Sequence, residues 1–283
     1  MTADENNLTD ADRHYRDWMT RALHQAAEHF ELTIEGPVVF GWLDRSAGAP
    51  ASASSGRVWL RVVSELPAWV GGPAWTGNYD ANVVSGLPKP RVLDLHDWPD
   101  DTFRHVRGEV LTRLPGTPCS TTNTPPPHLI LPPQWWRELR ASLTTLARTQ
   151  TERMHSDQAK INRRIRDAFG DGTTVVIQRW ETVHGDLHWG NLLRDPFGIL
   201  DWELWGTGPA GTDAATLYAY SLAQPAVAAT VRSQFTDVLD TPDGRRAQLA
   251  VAARLLHRAS FGDHPELVDP LRRLGQRLSL EEG

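Results

Sequence analysis

Cysteine is almost missing from this chain: the 283 residues hold one, Cys119. A single thiol closes no internal disulfide and completes no Cys-x-x-Cys metal knuckle, so a disulfide scaffold and a small zinc module are both excluded, and a reducing, cytoplasmic setting is expected. Long apolar runs are missing too, and none approaches the length that crosses a bilayer. Basic clusters are absent: 29 Lys and Arg stand against 35 Asp and Glu, for a net charge of −6. No stripe of positive charge is available to hold a phosphate backbone, so neither nucleic acid nor a membrane is an expected partner. There is no Gly-x-Ser-x-Gly, hence no nucleophile elbow, and no internal repeat. The opening MTADENNLTDADRHYRDW is polar and acidic, and is not expected to act as a secretory signal.

What is present suits a soluble globular protein: 40% hydrophobic residues, 23% charged residues and twelve tryptophans. The pairs Trp135-Trp136 and Trp202…Trp205 are placed to pack a core, with a ligand wall as the alternative. Helical spacing runs through 8–30, where Thr9 or Asp10 would cap. LTIEGPVVFGWL (32–43) is rich in β-formers, and VWLRVV (58–63), LPKPRVLDL (87–95) and HVRGEVLTRL (105–114) read as strands. The Gly/Ala/Ser/Pro segment 45–57 reads as a turn, and 75–86 as a short helix. Residues 115–133, with seven prolines in nineteen residues, read as a connection between units. Beyond it the chain is helical: one long helix over 134–156, a second over 157–169, and others over 212–224, 225–239, 244–260 and 265–278. Strands are expected only at 174–180 and 198–203. Segregation of strands from helices predicts an α+β fold in two lobes sharing a cleft: a strand-rich N-terminal lobe (1–114), a hinge (115–133) and a larger helical C-terminal lobe (134–283).

The chemistry is concentrated in HGDLHWGNLL (184–193) and FGILDWE (197–203). Asp186 and Asn191 are five apart, and Asp201 lies ten further on. Flanking apolar segments, VVIQRW and GIL, would anchor the intervening loop at the mouth of a cleft. Phosphoryl transfer from ATP asks for in-line positioning and for Mg²⁺ to neutralise phosphate charge, more than for covalent help. Mg²⁺ takes hard oxygen ligands. An Asp and an Asn supply such oxygens, while a separate Asp accepts or orients the proton of an attacking hydroxyl. His184, Asp186, Asn191 and Asp201 keep the offsets of a kinase catalytic loop and its downstream metal-binding Asp. Two other readings stand beside this one. His184, Asp186 and His188 alternate, so on a strand they would share a face and could bind Zn²⁺, although zinc explains neither Asn191 nor Asp201. A purely structural role would have Asp186 capping a turn and Asn191 in a left-handed bend.

These residues carry a family resemblance. HGDLHWGNLL followed by GILDWE resembles the catalytic and metal-binding loops of the aminoglycoside phosphotransferase and choline kinase family, strongly over about 182–222 and collinearly elsewhere. The resemblance implies a protein-kinase-like two-lobe fold. It also implies that Asp186 is the catalytic base, that His184 braces the loop with His188 in support, and that Asn191 and Asp201 hold Mg²⁺. Asp213 falls where the family has a structural Asp opening the next helix. In the N-terminal half, Arg61 stands where the family contacts the nucleotide phosphates, and EVLTRLPG resembles the hinge, with adenine binding near Leu111, Arg113 and Leu114. Two departures accompany it. No Gly-x-Gly-x-x-Gly occurs in 32–57, where SAGAPASASSG would have to cover the phosphates, and no Glu lies in the helix after Arg61, where only Asp80 is placed to pair with it.

The function expected is transfer of the γ-phosphate of ATP to a hydroxyl of a small molecule, of aminoglycoside or amino-alcohol type. Glu203, Asp213 and the acids of 262–269 would attract amines. Two alternatives are carried: a kinase for Ser or Thr of a peptide in natural-product biosynthesis, leaning on a partner protein, and a pseudokinase that binds without turnover.

Overall fold

A computed structural model describes residues 9–54, 56–100 and 103–282. The first eight residues, which carry part of the polar N-terminus, lie outside the described residues, as does Ser55 of the small-residue segment. By its contacts the chain forms two compact units, one of Met1–Val83 with Lys89–Pro115, the other of Val84–Pro88 with Gly116–Gly283.

The first unit is a helix laid on an antiparallel sheet. α1 (Asp10–His29) opens on a capping box, in which Thr9 accepts from Asp12 N–H and Asp12 accepts from Thr9 N–H. The sheet comprises β1 (Thr33–Ile34), β2 (Val39–Phe40), β3 (Ser46–Ala53), β4 (Gly56–Glu65), β5 (Val92–Pro99) and β6 (His105–Thr112), in the order β1-β3-β4-β6-β5 with β2 on β3. Alternate residues Val58, Leu60 and Val62 of β4 face Met19, Leu23 and Ala26 of α1, and all six are at most 5% exposed. Gly108 lets α1 approach β6 closely: a Cβ there would lie 3.0 Å from the Phe30 ring and 3.2 Å from Ala26.

The segment read as a turn over 45–57 is mostly strand, and only its tip near Ser54 turns. Ala47, Ala49 and Ala51 point inward at 0–1% exposure, so the period of two is present but written in alanine. On the opposite face of the sheet α2 (Pro73–Asp80) meets β6, where Arg107 donates to Trp75 O at 2.9 Å. There Arg61 on β4 is registered against Glu109 on β6, and their side chains form an ion pair at 3.0 Å. Asn78 of α2 donates to the same Glu109 oxygen at 3.0 Å. A carboxylate for Arg61 therefore comes from the neighbouring strand.

The second unit is mainly helical. Its helices are α3 (Pro133–Ala147), α4 (Gln158–Phe169), α5 (Thr212–Ser221), α6 (Pro225–Gln234), α7 (Thr236–Leu239), α8 (Pro242–Ala259) and α9 (Val268–Glu282). Its short strands are β7 (Thr117–Pro118), β8 (Trp180–Val183), β9 (Leu192–Arg194), β10 (Gly198–Ile199) and β11 (Gly206–Pro209). β8 pairs with β11, and β9 pairs with both β10 and β7. The strand expected over 198–203 is thus confined to two residues.

Two further expectations are corrected here. The long helix of 134–156 stops at Ala147, because 153–155 are drawn into pairing with β11: Thr207 N–H donates to Arg153 O and His155 N–H to Thr207 O, at 2.7 and 2.9 Å. Residues 174–179 are extended but pair with side chains instead of a strand. The Gln158 amide donates to Val175 O and accepts from Ile177 N–H, while Asn162 accepts from Val175 N–H. Amide side chains on α4 thus do the work of a ladder partner.

The tryptophan pairs are core, as is Trp189. Trp135, Trp136, Trp189, Trp202 and Trp205 are all at most 5% exposed, and Trp135 stacks near Trp189 with centroids 6.2 Å apart. Cys119 is buried as well, and burial pushes its thiol up to about 12, which leaves it unreactive. Among the described residues no helix is long and apolar enough to cross a membrane.

Leu60 sits at the centre of the first unit's core with no exposure. Leu60→Ala should cost about 2–5 kcal/mol. Denaturant unfolding followed by tryptophan fluorescence reads this directly, and an unchanged midpoint would contradict the packing described.

Candidate active site

The loop between β8 and β9 holds most of the predicted residues, and it is fixed from below. Asp213, in the first turn of α5, accepts His184 N–H at 2.8 Å on one oxygen and Gly185 N–H at 2.9 Å on the other. Burial raises the Asp213 carboxyl, while His184 and the two N–H bonds act against it. Gly185 itself has φ +83°, and a Cβ there would meet the His155 ring and come within 2.7 Å of Leu204 O. No other residue type fits that turn without moving its neighbours.

His184 ties this loop to the next one. Its ring is fully buried, Nε2–H donates to Leu200 O at 2.9 Å, and Nδ1 faces Asp186 N–H at 3.4 Å. This pattern is the neutral imidazole protonated on Nε2. Burial, the largest influence, holds the ring below its ordinary pKa and so keeps it neutral. Leu200 N–H in turn donates to Asn191 O at 2.8 Å. The two loops therefore meet at Leu200, one residue before Asp201. Asp201 is exposed and held at φ +59°, a conformation uncommon for residues other than glycine.

Asn191 is buried, and its Nδ2 donates to Asp186 O at 3.0 Å, which commits the amide nitrogen inward and leaves Oδ1 as the atom with lone pairs to offer a ligand. Trp189 anchors the same turn by donating from Nε1 to Ser221 Oγ at 2.9 Å. The Asp186 side chain is 14% exposed. Its Oδ1 is buried without a hydrogen-bond partner, and Arg254 Nη1 and Arg258 Nη1 each stand 3.9 Å from it. Its Oδ2 lies 3.8 Å from His188 Nε2. Burial would raise the Asp186 carboxyl, but His188, Arg254 and Arg258 together hold it below its ordinary value. Burial pushes His188 down to about 4, against the pull of Asp186. At neutral pH the pair is thus a carboxylate beside an uncharged imidazole.

The structure brings together His184, Asp186, His188, Asn191 and the start of the Asp201 loop. Arg61, Leu111, Arg113 and Leu114 belong to the first unit: Leu111 is buried in β6, while Arg113 and Leu114 follow its end, the former exposed and the latter half-buried. The donors Asn191 Oδ1 and Asp201 carboxylate are hard oxygens of the type Mg²⁺ takes. Residues 184–188 do not form a strand, and among the described residues no group of three or more His, Cys, Asp and Glu is gathered as a metal site. The zinc arrangement does not form.

Three of the acids expected to attract amines are otherwise engaged. Asp213 holds the loop, Asp263 accepts Arg258 Nε at 2.9 Å, and Glu266 lies 3.7 Å from His264 Nδ1. What sequence reading missed is the pair Arg254 and Arg258. Their spacing of four on an amphipathic helix was a usable signal, since it puts both on one face.

Residues 108–250, half the chain, match the family described as the phosphotransferase enzyme family. The chain belongs to this family. Among solved structures it is similar to aminoglycoside phosphotransferase APH(4)-Ia, with TM-score 0.61 and 12% identity over 93% of this chain and 99% of that one. It is similar also to the amicoumacin kinase hAmiN, with TM-score 0.58 and 15% identity over 96% of both chains. A third is aminoglycoside 2'-phosphotransferase-IIIa, with TM-score 0.55 and 11% identity over 94% of this chain and 99% of that one. No curated protein matches by sequence. The phosphotransferase has the protein-kinase-like fold, with an antiparallel sheet in its N-terminal part and helices in its C-terminal part.

The buried neutral histidines set a pH dependence. The folded phosphotransferase binds His protons more weakly than the unfolded chain, so stability is full above about pH 6.5, the ordinary His value, and falls as pH drops toward the folded value of about 4 for His188. His188→Gln should flatten the fall in Tm between those limits. A slope unchanged by the substitution would show that His188 is not held neutral.

Proposed function

We propose that this phosphotransferase moves the γ-phosphoryl group of ATP to a hydroxyl of a small molecule, with Asp186 receiving or orienting the hydroxyl proton. The observation that carries this reading is the Asp186 carboxylate. It is ionised, largely enclosed, and has one oxygen without a hydrogen-bond partner. An enclosed carboxylate so disposed is suited to a hydroxyl donor that arrives with the substrate.

Asn191 Oδ1 and Asp201 are the proposed Mg²⁺ ligands. When bound, Mg²⁺ supplies charge neutralisation for the phosphates. His184 braces the loop through Leu200, and His188 supports Asp186 as an uncharged neighbour. In the first unit, Arg61 is the proposed phosphate contact, held by Glu109, and the backbone near Leu111, Arg113 and Leu114 is the proposed adenine contact. Support comes from solved relatives: the amicoumacin kinase structure holds AMP-PNP, Ca²⁺ and Ami, and an APH(4)-Ia mutant holds ADP and hygromycin B.

Asp186→Asn should lower kcat by about 10²–10⁴-fold, the usual share of a positioned acid or base, while nucleotide affinity is kept. Transfer is read by mass spectrometry as the gain of one phosphate, and ADP release by a coupled assay. Turnover that survives Asp186→Asn removes the proposed role. Asn191→Ala and Asp201→Ala should each raise the Mg²⁺ concentration needed for half-maximal activity, and a chelator should abolish activity until Mg²⁺ is restored. Indifference of all three measurements to Mg²⁺ would reject the metal assignment.

A further inference from the structure

The ground around Asp186 is cationic. Arg254 and Arg258, four residues apart on α8, both direct Nη1 toward Asp186 Oδ1 at 3.9 Å. Arg254 is 9% exposed, and it spends Nη1 on Gly185 O and Nη2 on Thr216 Oγ1. Its Nε is buried without a partner. Arg258 is pinned through Nε by Asp263 at 2.9 Å, with 21% of its side chain still exposed. α4 packs along α8 and adds Lys160 and Arg164, both half-buried. Neither has a carboxylate within ion-pair distance among the described residues. Three of these cations feel one another: burial first and Arg254 next pull Arg164 down, and burial first and Arg164 next pull Lys160 down. His155 is pushed down to about 3 by burial and then Arg254.

Against these four positive groups stand three carboxylates, Asp186, Asp263 and, beside Lys160, Asp157. Enclosed charge of one sign in excess is costly unless a counter-charge arrives. A polycationic acceptor would add to that excess, and three of the acids that could offset it are already engaged, in Asp263–Arg258, Glu266–His264 and the Asp213 bonds.

We infer that the acceptor bound beside Asp186 is an anion: a hydroxyl compound bearing a carboxylate, phosphate or sulfate group, held by Arg258 and Arg254 with Lys160 and Arg164 behind them. This deepens the proposed function and rests on it, since the acceptor hydroxyl must reach Asp186. Guanidinium forks match carboxylate and phosphate oxygens in pairs. The same charges could instead meet the γ-phosphate of the nucleotide, and the test separates the two sources.

Isothermal titration calorimetry of the full chain is run first with Mg²⁺ and AMP-PNP, then on the loaded protein with sodium sulfate, and separately with ethanolamine at matched ionic strength. The expected result is that AMP-PNP binds, that sulfate binds the loaded protein, and that ethanolamine does not. Arg258→Ala should weaken sulfate by about tenfold or more, as for loss of a hydrogen bond to a charged group, and leave AMP-PNP affinity unchanged. Arg258→Lys, which keeps the charge and the contact with Asp263, should restore part of the sulfate affinity, and its Tm guards against a folding defect. Failure of sulfate to bind, or tighter binding of ethanolamine, overturns the inference while leaving nucleotide binding intact. Loss of AMP-PNP affinity in Arg258→Ala overturns it in favour of the γ-phosphate. If AMP-PNP does not bind the unaltered protein, the phosphotransferase chemistry proposed above fails, and the inference fails with it.

Discussion

The carboxylate of Asp213 is the constraint on which the site depends. A loop that carries Asp186 and Asn191 outward must turn sharply after β8, and that turn leaves the N–H groups of His184 and Gly185 pointing into the protein. Unsatisfied, each would cost about 1–3 kcal/mol. Asp213 takes both, one on each oxygen, and it can do so because it lies in the first turn of α5, where a negative charge is favoured. Arg254 closes the same turn from the other side by donating to Gly185 O. The helix start, the glycine and the arginine thus hold one short stretch of backbone, and the direction of the Asp186 side chain follows from it.

A second tie carries this order to Asp201. His184 reaches Leu200 O, and Leu200 N–H reaches Asn191 O. One residue thus receives a bond from the front of the β8–β9 loop and gives one to its end. The neutral state of His184 matters here. A single N–H donates to Leu200, and the other ring nitrogen is free to face Asp186 N–H, which a doubly protonated ring would repel. Burial enforces that state, so the geometry of the loop and the protonation of its histidine are one fact.

The legible part of this protein was the part written in chemical types. The candidates His184, Asp186, Asn191 and Asp201 stand out in the sequence because their spacing is short and their side chains have few other reasons to recur in that order. Most helices were legible from apolar spacing. The strand β3 was not, because its inward residues are alanines and its outward ones include proline and serine, so composition imitated a turn. The run 174–180 reads as a strand because Val175 and Ile177 alternate toward the interior, and nothing local reveals that the partners of 174–179 are Gln158 and Asn162. The end of α3 at Ala147 was equally hidden, since pairing with β11 is set by residues some fifty positions away. Glu109 as a partner of Arg61 needed the register of β4 against β6, which the hydrophobic pattern alone does not supply.

The charges near Asp186 bear on the kind of proton acceptor it can be. A carboxyl held below its ordinary pKa by His188 and two guanidiniums is a weak base. It is poorly suited to remove a hydroxyl proton before the phosphorus–oxygen bond changes. Phosphoryl transfer does not ask for that, because its transition state is loose, with little bond formed to the nucleophile, and the hydroxyl becomes acidic only as the bond develops. A low-pKa carboxylate that orients the hydroxyl early and takes its proton late is adequate to the proposed reaction. Arg254 and Arg258 also keep it ionised in an enclosed site where, alone, it would take up a proton and lose the acceptor lone pair that the hydroxyl needs. The same two cations that tune the carboxylate would therefore hold an anionic acceptor, joining orientation of the substrate to the ionisation of the group that receives its proton.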